Sequence, residues 1–131
     1  MKNKPILLHI SYIWGAVADG AMAIMMLFPE HYLRLTNSNM QSSQDFAYGL
    51  VNGAPLMIGW TVLLLWANRK PQERKHILAI TLLVIFGYIA VEIHALQVGI
   101  SSIQSTLPLF FMQGALTIMI IASLLHNRFE E

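Results

Sequence analysis

The sequence predicts an all-α protein: an antiparallel four-helix transmembrane bundle with both termini cytoplasmic. Three observations carry that expectation. Hydrophobic residues make up 56% of the 131 residues and charged residues only 11%, whereas soluble domains run near a quarter charged. The charges are also confined: Asp19 is the only acidic or strongly basic residue between Ile6 and Phe28, and none lies between Phe46 and Ala67. A soluble chain this short leaves too much of its surface in water to hide so much apolar area. Finally, lysine and arginine gather in alternate connections, the pattern that orients membrane helices.

A membrane helix needs about 20 mostly apolar residues to cross roughly 30 Å of hydrocarbon. Four segments qualify within a single membrane domain, residues 1–131: about 6–28, 46–67, 76–98 and 107–126. Pro5 suits the first turn of the first span, and Pro29 stops it. Lys2, Lys4 and the small-x-small run Ala21-Met22-Ala23 resemble a cleaved leader. The apolar run nevertheless continues through Phe28, so the segment is read as a span. Glu30-His31-Tyr32-Leu33-Arg34-Leu35 can form a short helix on the membrane surface, or serve with Thr36-Asn37-Ser38-Asn39 as a plain connector. Ser42, Ser43 and Asp45 are capping candidates for the second span. Pro71, Gln72 and Glu73 read as the opening of the third, with acid at the positive end of its dipole. Gly99 can close that span, and Thr106 and Pro108 can open the fourth.

Lys2 and Lys4 precede the first span, Arg69, Lys70, Arg74 and Lys75 separate the second and third, and Arg128 follows the fourth. The other two connections hold only Arg34. These counts place both termini in the cytoplasm. Trp66 at the inner level and Tyr32 at the outer one fit interfacial anchors. The basic connection is first a topology signal, and its charge also attracts anionic headgroups.

Depth follows from the helical rise of about 1.5 Å per residue. Counted from the cytoplasmic ends, Asp19 and Gln113 lie roughly 20 Å up, Asn52 roughly 22 Å and Glu92 roughly 24 Å. Each span thus sends one strongly polar residue to a shared level in the outer half. Helical spacing adds Tyr12 on the stripe of Asp19 and Tyr88 one turn before Glu92. Lipid-facing charge is costly, so these faces are expected to turn inward. No lysine or arginine lies inside a span to neutralise the two carboxylates. Either they are protonated and hydrogen bonded, or a cation sits between them, or His94 supplies the countercharge. His94 lies about 200° around the helix from Glu92, which points it elsewhere. Gly49-x-x-x-Gly53 and Ala16-x-x-x-Gly20 bracket Asn52 and Asp19 and favour close packing. Pro55 frees a carbonyl near Val51.

Other chemistry is thin. Cysteine is absent, which excludes disulfides and thiolate sites. The net charge of +1 gives no basic field for nucleic acid. The five histidines show no ligand-pair spacing such as His-x-x-x-His, so no metal site is expected. No catalytic residues and no cofactor are legible.

The stretch Gly59-Trp60-Thr61-Val62-Leu63-Leu64-Leu65-Trp66-Ala67-Asn68-Arg69-Lys70-Pro71-Gln72-Glu73-Arg74 resembles a segment of a family of uncharacterised small bacterial four-helix membrane proteins. The resemblance covers about an eighth of the chain. It implies a bacterial inner-membrane protein and brings no assigned activity.

The leading expectation is therefore an intramembrane site for a cation, a proton or a small ligand, in a transporter- or channel-like protein. Asp19 and Glu92 would carry charge, Asn52 and Gln113 would orient, and Tyr88 and Tyr12 would support. A homo-oligomer is expected as well, since four short helices leave little room for a private pathway. Two alternatives stand beside it: an accessory subunit that uses the polar layer for packing, and a membrane redox or lipid-linked enzyme.

Overall fold

The computed structural model describes residues 6–36 and 43–128. Five helices follow in order: α1 (Ile6–Met26), α2 (Pro29–Leu35), α3 (Gln44–Ala67), α4 (His76–Gln97) and α5 (Ile103–Arg128). There is no strand among the described residues. Four of the helices, α1, α3, α4 and α5, are long and apolar enough to cross a membrane. The calls on Lys2, Lys4, Pro5, the 37–39 filler and Ser42 lie outside the described residues.

Local chemistry explains most boundaries. α1 stops at Met26, and after a two-residue turn Pro29 takes the first position of α2, where its missing N–H costs nothing. The surface-helix reading of 30–35 thus holds for the helix itself. Ser43 caps α3, its hydroxyl accepting from the Phe46 N–H at 3.1 Å. α3 runs unbroken through Pro55 to Ala67.

The third span opens later than its proline implies. Pro71 through Lys75 are turn, with Pro71 buried, and α4 begins at His76. Gly99 ends α4 as expected, at φ 75°, which an L side chain tolerates poorly. The fourth span opens earlier than Thr106 and Pro108 imply. Ser102 and Ser105 satisfy each other reciprocally, the Ser105 N–H reaching Ser102 Oγ at 3.3 Å and the Ser102 N–H reaching Ser105 Oγ at 3.2 Å. This exchange follows the logic of a capping box, and it leaves Pro108 inside the helix.

α1 is the hub. It lies along α3, and it also packs on α5 and α2, while α4 packs on α5. The core gathers Leu8, Tyr12 and Ala16 of α1, Leu64 and Ala67 of α3, Leu78 and Ile85 of α4, and Leu116 and Ile120 of α5. Close approach of α1 to α3 depends on absent side chains: a Cβ at Gly15 would sit 3.2 Å from Leu64 Cδ1, and one at Gly20 would sit 3.4 Å from Thr61 Cγ2. Gly53 abuts the end of Met26, whereas Gly49 has nothing within 4 Å. Of the two small-residue pairs, the one on α1 packs fully and the one on α3 only at Gly53. Outside the core the surface is apolar, with Leu56 73% and Phe111 72% exposed, an arrangement suited to lipid contact and hostile to water.

Candidate functional site

The candidate site draws on three helices. On α1, Asp19 is partly buried beside the Gly20–Thr61 contact with α3. On α4, Tyr88 and Glu92 stand one turn apart and therefore share a face. The Tyr88 hydroxyl reaches Met57 Sδ of α3 at 3.4 Å, and it lies within electrostatic range of Asp19. From α2, Tyr32 comes within electrostatic range of both Glu92 and Tyr88. Burial pushes the Tyr32 hydroxyl above the usual tyrosine range, and the negative charges of Glu92 and then Tyr88 push it further. Asp19, Tyr88, Tyr32 and Glu92 thus form one electrostatically linked set. Among the described residues, no ion pair joins either carboxylate to a lysine or arginine; the one salt bridge, Lys70–Glu73, belongs to the loop before α4.

The remaining expected members divide. On α5, Gln113 Oε1 and, one turn on, Thr117 Oγ1 are buried without a hydrogen-bond partner, as is Trp60 Nε1 of α3. Buried polar atoms in folded proteins are rarely left so. Asn52 is exposed, and its amide donates back to its own helix at the Tyr48 carbonyl, 2.8 Å away. It is not among the linked groups. Tyr12 is fully buried and donates its hydroxyl proton to the Arg74 carbonyl at 2.7 Å. Its hydroxyl is committed to the loop between α3 and α4, away from Asp19. His94 is exposed on α4 and is no countercharge to Glu92.

Two contributions escaped sequence reasoning. Tyr32 reads as a lone interfacial anchor because its partners are 56 and 60 positions downstream; only the packing of α2 on α1 and α3 brings it inward. Ser11 and Ser123 meet in the core, with hydroxyl oxygens 3.3 Å apart, and so tie α1 to α5. A serine at helical spacing among apolar residues is the available signal, and it marks neither partner.

The arrangement can offer a cation a carboxylate with a tyrosine oxygen in electrostatic range, Asp19 with Tyr88 and Glu92 with Tyr32. Among the described residues no group of three or more histidine, aspartate or glutamate side chains could hold a metal ion. Compared with known proteins, the chain matches no protein-family model, and no curated protein or solved structure matches it.

Proposed function

We propose that this membrane protein binds a cation, the proton being the smallest case, at the Asp19–Tyr88–Tyr32–Glu92 set, in a transporter- or channel-like role. In this reading the four long helices form an antiparallel bundle with both termini cytoplasmic, and the set lies in the outer half. One observation carries it: two partly buried carboxylates, each within electrostatic range of a tyrosine, have no ion pair with a lysine or arginine among the described residues. Uncompensated charge in a low-dielectric interior is costly, and intramembrane acids commonly mark ion or proton paths. Gln113 and Thr117, with buried polar atoms not otherwise engaged, are the orienting groups. A bacterial inner membrane is the proposed location, on the resemblance of the 59–74 stretch alone.

The test is a thermal-unfolding series on the purified chain across pH and across sodium, potassium, calcium and tetraalkylammonium salts, repeated with Glu92→Gln. A ligand held at 100 times its dissociation constant stabilises by about 2.7 kcal/mol. The expected outcome is a response of the parent protein to a pH step or to one cation, abolished in Glu92→Gln. A flat series, with Glu92→Gln at least as stable as the parent, overturns the site.

A second reading, an accessory subunit or a self-assembling one, is favoured by the outward polar face of α3. Asn52 is exposed there, beside Gly49 and Gly59 with nothing within 4 Å of either. Such a face admits another helix at close range.

A further inference from the structure

We propose that the loop joining α3 to α4 is a pre-shaped binding site for the phosphate headgroup of an anionic phospholipid, and that Tyr12 is the residue that holds its shape. The inference rests on α3 and α4 crossing the bilayer, and it does not depend on the outer polar set.

The charge is dense and lopsided. Between Asn68 and Lys75 stand Arg69, Lys70, Arg74 and Lys75 against one acid, Glu73. That acid is engaged by Lys70, with Nζ 3.1 Å from Oε2. The loop follows the last turn of α3 and precedes the first turn of α4, so it lies where a spanning helix pair meets the headgroups.

The geometry is fixed from three sides. Trp66, half exposed in the last turn of α3, lies under the Arg74 guanidinium, whose carbon is 3.3 Å from the ring centroid. An Arg74 N–H also donates to the Trp66 carbonyl. Stacking plus one hydrogen bond orients the fork and leaves further donors of its five for an oxyanion. Behind the loop, the Arg74 carbonyl accepts from the Tyr12 hydroxyl at 2.7 Å and from the Ile77 N–H at 2.9 Å. His9 Nδ1 lies 2.7 Å from Asn68 Oδ1 and pins the loop's other end to α1. Pro71 is buried between these ties. Arg69 is exposed beside them. A disordered basic loop would attract lipid only diffusely; an anchored one holds the Arg74 fork in a set orientation with Arg69 exposed on the same loop, and preorganisation raises affinity by removing the cost of ordering.

Phosphodiester in a headgroup and free inorganic phosphate share this chemistry, and the lipid is the proposed source because tryptophan seats the arginine at the membrane interface. The experiment measures the unfolding midpoint and the number of co-retained lipids for the full chain in nanodiscs of phosphatidylcholine, with and without phosphatidylglycerol. A parallel arm adds inorganic phosphate to phosphatidylcholine discs. The expected result is a higher midpoint and retained phosphatidylglycerol in the anionic discs only. Arg69→Gln and Arg74→Gln should each lower the retention roughly five-fold, and Tyr12→Phe should lower it while all charges remain. Equal behaviour in both lipids, or unchanged retention in both arginine variants, overturns the site. The same stabilisation by inorganic phosphate overturns the lipid as its source, and full retention in Tyr12→Phe overturns the role given to Tyr12. Arg69 is exposed, so its replacement tests the charge without disturbing the fold.

Discussion

Tyr12 and Tyr32 are both amphipathic rings in the sequence, and the structure gives each a neighbour that its spacing does not indicate. Tyr12, expected on the stripe of Asp19, braces the loop before α4 with its hydroxyl, and Tyr32, expected as an interfacial anchor, also lies within electrostatic range of Glu92 and Tyr88. Helical spacing fixes the stripe on which a side chain starts, but a tyrosine reaches far enough that its hydroxyl chooses among several partners. The pairing therefore depends on three-dimensional contacts that no local pattern encodes. Asp19 and Glu92 stand out in the sequence because an acid in an apolar run is conspicuous; Asn52 is equally conspicuous, and the structure leaves it exposed. Tyr32 gives a direct check. Its folded chain holds the hydroxyl proton more tightly than the unfolded chain does. The stability it contributes is therefore present below the ordinary tyrosine range and is lost as pH rises through the raised folded value. Tyrosinate absorbance followed during an alkaline titration should show a late component that Tyr32→Phe removes. Glu92→Gln should move that component to lower pH, because one of the charges raising it is gone. A component unmoved by Glu92→Gln would separate Tyr32 from the set.

At the scale of elements, boundaries set by a cap, by a glycine or by Pro29 are readable, and those inferred from Pro71 and Pro108 are not. Ser43 and Gly99 act where their chemistry predicts. Pro71 and Pro108 mislead in opposite directions, since proline tolerates a turn and the early part of a helix alike. The serine pair Ser102 and Ser105 outweighs Pro108 by satisfying N–H groups that the first turn of α5 leaves open. The glycines make the packing of α1 on α3 testable. Gly15→Leu must displace Leu64 and should destabilise by about 1–3 kcal/mol, the usual cost of overpacking. Gly49→Ala meets no neighbour within 4 Å and should stabilise by about 0.5–1 kcal/mol through helix propensity. Unfolding of both variants in mixed micelles distinguishes them by sign. If Gly49→Ala also destabilises, its open face is covered by a neighbour, as self-association through α3 requires.

At the scale of the whole molecule, the composition announces four helices long and apolar enough to span a membrane, because an apolar run of such length has few alternatives. Which helices touch was not announced: α1 as a hub follows from small residues and from serines that pair across the chain. The orientation proposed from lysine and arginine is open to labelling, aided by a chain without cysteine. Single cysteines at Lys70, Glu30 and Ser102 should divide in whole cells. An impermeant maleimide should reach Glu30→Cys and Ser102→Cys directly, and Lys70→Cys only after the membrane is opened. The reverse division would invert the bundle and move the basic loop to the opposite leaflet.

The central place of α1 has a consequence for how the chain is made. α1 leaves the ribosome before α5, and Ser123, the partner of Ser11, is 112 positions further on. At roughly 5–20 residues per second, about 6–20 s of synthesis separate the two. In the proposed membrane arrangement α1 passes that interval with its α5 face unclaimed, while α3 arrives earlier and covers the other side. The seat of α1 on α5 therefore forms well after its larger seat on α3, and a nascent chain halted before α5 leaves the smaller of the two uncovered.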